Sequence, residues 1–151
     1  MKVLREYIEF DLHTVYFSKD YNLGTIRYNL FKDEYSFERN TEITNLRLYP
    51  PTFYGLNPSE TRELESEDIE YFIVDRVIPR NRQNLKWYLE FYGLDHWDAL
   101  DILLATEGKN PMDNFYIVGE DVKKFDYNEE AKFIFSKHGE QHEIKKLDSF
   151  K

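Results

Sequence analysis

The feature that most constrains this chain is a change in the spacing of its apolar residues on passing Pro58. Before it, strand-forming residues come in short runs between turn signals. Glu6 to Leu12 is one such run, and Thr25 to Phe31, after a turn signal at Asn22 to Gly24, is a second. Ile43, Leu46, Leu48 and Tyr49 suggest a third, stopped by Pro50-Pro51. Beyond Pro58 the period becomes helical. Ile69, Phe72 and Ile73 fall at i, i+3 and i+4, behind Ser66 as the expected N-cap. A second helix is predicted from Asn81 to Tyr92, burying Leu85, Tyr88, Leu89 and Tyr92 and stopped by Gly93. Asp95 is the expected N-cap of a third, which carries Trp97, Leu100, Ile102, Leu103 and Leu104 and closes at Gly108. A turn at Pro111 to Asn114 leads into a buried strand, Phe115 to Val118, and a last helix is expected from Glu129 to Lys137, started by Asn128.

Strands followed by helices predict an α+β fold, an antiparallel sheet packed against three or four short helices. The expected organisation is one domain over 1–151: mainly strands over 1–56, mainly helical over 59–138 with the strand at 115–118, and a polar tail over 139–151. The length of 151 residues matches one ordinary core, and a 17% aromatic content excludes a disordered polyelectrolyte.

Composition narrows the chemistry. Without cysteine there are no disulfides and no thiolate metal sites or nucleophiles. No apolar run reaches membrane-spanning length, and the start MKVLREYIEFDL lacks an export signal, so a cytoplasmic protein with no membrane contact is expected. With 29 acids against 20 Lys and Arg the formal charge is −9, which repels phosphate backbones and argues against direct nucleic-acid binding. His138 and His142 sit at i, i+4, but Gly139 lies between them and no Glu follows His138, so a solvated tail is the expectation and neither metal nor cofactor is. No nucleophile motif occurs, and acid pairs are too numerous for spacing to single out a catalytic dyad. No catalytic residue is assigned.

Two surfaces stand out. Arg76, Arg80, Arg82 and Lys86 form the most basic stretch of an acidic chain. Arg76 is read as a structural ion-pair residue, with Asp75, Asp98 or Asp101 as partner. Arg80, Arg82, Lys86 and Trp87 are candidates for binding a partner, as are Asn110, Asp113 and Asn114. Each has a plain structural alternative: Asn81 as a helix cap, Asp113 and Asn114 as turn-closing residues, Trp87 as core. The second surface is acidic: Glu60, Glu63, Glu65, Glu67, Asp68 and Glu70, with Arg62 the one base among them.

The stretch from Asp75 to Val118 resembles the N-terminal, non-catalytic region of HipA-like serine/threonine kinases. Arg76, Ile78-Pro79-Arg80-Asn81-Arg82, Gly93-Leu94, Asp98 and Gly108 to Val118 carry the likeness, with Phe125, Tyr127 and Asn128 echoing a weaker element beyond it. Asn110-Pro111-Met112-Asp113 departs from the family's Ser-Leu-Asn-Asp turn, and Tyr116 replaces a Trp. Kinase activity is not implied, because the chain has no glycine-rich phosphate loop, lysine-bearing strand, catalytic-loop Asp or metal-binding Asp-Phe-Gly. The resemblance implies a protein-binding module, serving as antitoxin or regulator of a HipA-like kinase. The alternative is an acidic inhibitor from a phage or mobile element, whose Glu and Asp cluster imitates nucleic acid to occupy a host nucleic-acid-binding enzyme.

Overall fold

The computed structural model describes residues 5–53 and 64–148. Its centre is a four-stranded antiparallel sheet: β1 Tyr7–Tyr16, β2 Lys19–Asn29, β3 Glu34–Arg39 and β4 Phe115–Val118, in the order β3-β2-β1-β4. Four helices complete an α+β fold: α1 Ser66–Arg76, α2 Leu85–Tyr92, α3 Ala99–Ala105 and α4 Tyr127–Asp148. Alternation decides which face of the sheet is covered. Phe10 and Leu12 of β1 register with Ile26 and Gly24 of β2, and Leu12 also with Ile117 of β4. These bury against Ile69, Phe72 and Ile73 of α1 and Ile102 and Leu103 of α3. The other face is polar and tied across strands by Arg27 to Glu9 (2.6 Å), Thr25 to Asp11 (2.6 Å) and His13 to Asp20 (3.0 Å).

The first hairpin departs from the sequence reading. Asn22 to Gly24 is not a turn but the site of a bulge inside β2, where the register jumps from Leu12↔Gly24 to His13↔Asn22. The extra residue, Leu23, goes fully into the core. Gly24 is required there: at φ +145° an added Cβ would lie 2.3 Å from the Glu38 carbonyl oxygen. The chain turns instead at Phe17 and Ser18, both with positive φ (49° and 64°), a geometry that Asn-Gly ordinarily fills. Ile43 to Tyr49 forms a single 3-10 turn, Leu46–Leu48, and not a strand; the third strand is the charge-rich Glu34–Arg39.

The helix starts differ as well. Ser66 is the first residue of α1, not its cap; its hydroxyl accepts the Tyr35 N–H of β3 (2.8 Å), and the Glu65 N–H donates to Asp68 (3.2 Å). Asn81 caps nothing, because Pro79 to Arg82 forms a turn (Arg82 N–H to Pro79 carbonyl, 3.0 Å) and α2 begins only at Leu85. Asp98, not Asp95, caps α3, accepting the Asp101 N–H at 3.1 Å. Residues 139–148 are no loose tail, since α4 runs through Gly139 to Asp148. No helix among the described residues is long and apolar enough to cross a membrane.

Candidate functional site

Arg76 ends α1 with its side chain only 5% exposed. Its partner is Asp113, 37 residues on, and not Asp75, Asp98 or Asp101. The guanidinium forks onto both carboxylate oxygens (2.8 Å each) while its Nε donates to the Gly108 carbonyl at 2.9 Å. Phe72 and Phe115 lie within 4.9 and 5.7 Å of it, so the charge is enclosed between aromatic faces. Asn110 braces the same corner, its amide donating to the Arg76 carbonyl (3.2 Å) and its side-chain oxygen accepting the Met112 N–H (2.8 Å). Asp113 also accepts the Phe115 N–H at 3.0 Å, closing the turn into β4. Of the three polar residues expected at a partner surface in this turn, Asn110 and Asp113 are therefore engaged within the fold, although Asp113 stays exposed. Asn114 is exposed, and its carbonyl accepts the Val15 N–H (3.3 Å), tying the turn to β1.

The remaining basic residues behave differently. Val77 is extended (φ −89°, ψ 162°), and Pro79 with its fixed φ turns the chain away from α1. Arg80 then lies over the Trp97 ring, 4.5 Å from its centroid, and the Trp97 indole N–H is held by the Ile78 carbonyl at 2.8 Å. Arg82 lies over Tyr88 (5.0 Å) and donates to its hydroxyl (2.9 Å). Lys86 is exposed on α2, beside a separate groove shared with Glu90 and Asp95. Trp87 is half-buried, its ring edge-on to His138 of α4 at 4.9 Å, so it joins two helices.

Of the acidic set, Glu65, Glu67 and Glu70 are exposed on or beside α1, and Asp68 is half-buried against the Glu65 N–H. Glu60 and Glu63 lie outside the described residues. His138 and His142 share helix α4, and no group of three or more acids and histidines placed to hold a metal occurs among the described residues.

Between α2, α3 and α4 lies a cleft of about 180 Å3 lined by Arg82, Tyr88, Tyr92, Lys109, Tyr127 and Glu130. The buried Tyr92 hydroxyl donates to Glu130 at 2.6 Å. Burial pushes the Glu130 carboxyl above its ordinary range, against the opposing pull of the Tyr92 hydrogen bond and the Arg82 charge. Burial and the neighbouring Glu130 charge push the Tyr127 hydroxyl up to about 12. Nothing in the sequence signalled this cleft, because its residues come from segments up to 54 positions apart (Arg76 to Glu130). The open face of the sheet holds a second cluster missed from sequence. His13 and the Tyr116 hydroxyl (2.5 Å) both bond Asp20. Burial raises the Asp20 carboxyl, but those two hydrogen bonds outweigh it and leave it below its ordinary value.

Comparison of the chain with protein-family models, with curated proteins and with solved structures finds no match.

Proposed function

We propose that this chain is a non-catalytic protein-binding module whose contact surface is built from Arg80, Arg82 and Lys86. One observation carries the reading: in a chain with 29 acids and 20 Lys and Arg, none of these three cations has a carboxylate partner among the described residues. Two of them lie over aromatic rings, 4.5 and 5.0 Å from the ring centroids. A stacked guanidinium has lost part of its rotamer freedom and keeps N–H donors for a second group, so an incoming carboxylate meets a preorganised fork. Arginine and aromatic residues together are the usual composition of an interface centre. The partner is then a protein presenting acidic side chains. The motif between Asp75 and Val118 makes a HipA-like kinase the first partner to test.

A second reading is favoured by the exposed acids Glu65, Glu67 and Glu70, which fit a basic nucleic-acid-binding groove on another protein. Affinity measurements separate the two. A HipA-like kinase from the same genome is titrated with the native chain, with R80A/R82A and with a variant carrying E67Q and E70Q. The proposal expects R80A/R82A to weaken the complex by about tenfold or more and the acid variant to leave it unchanged. Undiminished binding by R80A/R82A would remove the basic corner from the interface.

A further inference from the structure

The cleft between α2, α3 and α4 contains a charge that the fold does not use. Glu130 is half-buried, yet among the described residues it forms no ion pair, and its one side-chain partner is the Tyr92 hydroxyl. A carboxylate drawn partly out of water without a cation in contact is unfavourable, and such groups concentrate at sites that bind something. The same cleft is lined by three cations, of which Arg76 is already taken by Asp113. Arg82 gives one of its five N–H donors to Tyr88 and pairs with no acid. Lys109 is held by Glu107 (2.9 Å) and the Phe125 carbonyl (3.1 Å). The remaining wall is mainly apolar or aromatic, with Ile78, Ile102 and Phe125, and its Thr106 hydroxyl is spent on the Ile102 carbonyl (2.8 Å).

Size decides which ligands can enter. At about 180 Å3 the cleft lies below the 300–1,000 Å3 of sites that take drug-sized molecules, and corresponds to about six water molecules of liquid volume. A nucleotide or large cofactor would therefore not be enclosed by it, whereas a small ligand would. An anion alone meets the Glu130 charge, and a cation alone meets Arg82 and Lys109.

We propose that this cleft binds a small zwitterion of the α-amino acid class, with the ligand's ammonium on Glu130 and the Tyr92–Tyr127 hydroxyls, its carboxylate on Arg82, and a short aliphatic side chain on the apolar wall. The inference shares Arg82 with the proposed partner surface but does not rest on that reading, and Arg80 tells the two apart. Arg80, which belongs to the proposed partner surface, does not line the cleft.

The test is calorimetric titration of the full chain with valine, and then with valinamide and N-acetylvaline, each of which keeps one of the two charges. The expected result is saturable heat with valine and at least tenfold weaker binding of both derivatives. E130Q and, separately, R82A abolish the valine heat at an unchanged melting temperature, while R80A retains it. R82A changes an exposed side chain, so it gives a reading even where E130Q alters the fold. Absence of saturable heat with valine and with alanine overturns the proposal. So does N-acetylvaline binding as tightly as valine, or valine binding that survives both E130Q and R82A.

Discussion

Arg76 and the pair Arg80 and Arg82 lie within seven positions of one another, share a side chain, and have opposite fates. Arg76 stands on the buried stripe of α1, in the helix's last turn, and its guanidinium is saturated by a carbonyl, a bidentate carboxylate and two rings. Arg80 and Arg82 come after Pro79 has turned the chain outward, and each lies over one ring and is exposed. An arginine's role thus follows from whether its helix face is closed over, not from the local density of basic residues. One Arg is a tie between α1 and the turn into β4, and the other two are exposed, with no carboxylate partner among the described residues.

The contrast is sharpest at Arg76. Arg76→Ala leaves the Gly108 carbonyl without its donor and Asp113 without its cation. The expected cost is about 3 kcal/mol, at the lower end for broken buried pairs, because Asp113 is 32% exposed and can rehydrate. Urea denaturation measures it, and a cost under about 0.5 kcal/mol would mean that the corner is held by packing alone. A smaller effect is expected at the other end of the tie. Asp113→Asn keeps the turn-closing acceptor for the Phe115 N–H but loses the charge and one arm of the fork, at about 1–2 kcal/mol. The two substitutions touch one interaction, so together they should cost clearly less than the sum of the two. Additive costs would show that Arg76 is stabilised by its carbonyl and ring contacts and gains nothing from Asp113.

What could be read from the sequence followed from local physics. The stripe of Ile69, Phe72 and Ile73, the left-handed stop at Gly93 (φ 76°) and the short strand Phe115–Val118 each depend on residues within one turn or one strand, and each stands where the spacing put it. Misplaced elements were those where several residues of one chemistry compete. Ser66, Asn81 and Asp95 were all acceptable caps, but Ser66 is taken by Tyr35 of β3, Pro79 draws Asn81 into a turn, and Asp98 lies nearer the apolar stripe of α3. The first hairpin was illegible for a different reason. Its turn carries Phe17 and Ser18 in a backbone region costing about 1–2 kcal/mol per residue, and Phe17 is 86% exposed. The Asn-Gly-like signal lies instead at a bulge. Of the candidate site, the basic run was visible because it is contiguous. Asp113 as partner of Arg76, and the placing of Arg82 and Glu130 in one cleft, depend on how α1 meets the turn into β4 and how α4 packs on α2, and leave no local trace.

The smallest expected effect tests the outer half of the comparison. Arg80→Ala removes a cation from the face of Trp97, and Arg82→Ala removes one from Tyr88 together with a hydrogen bond to its hydroxyl. Stacking at exposed sites contributes about 0.5–1 kcal/mol, and part of that returns when ring and side chain are rehydrated. Trp97 does not depend on Arg80 for its place, because the Ile78 carbonyl holds its indole N–H. Tyr88 is half-buried in the wall of the cleft and keeps its ring packing without Arg82. Each variant is therefore expected within about 0.5 kcal/mol of the native chain by urea denaturation, several-fold below Arg76→Ala. The aromatic fluorescence that Trp97 contributes should stay that of a half-buried indole. A cost for Arg80→Ala or Arg82→Ala approaching that of Arg76→Ala would place all three arginines in one structural tie. The basic corner would then be a packing motif, with no surplus donors to offer a partner.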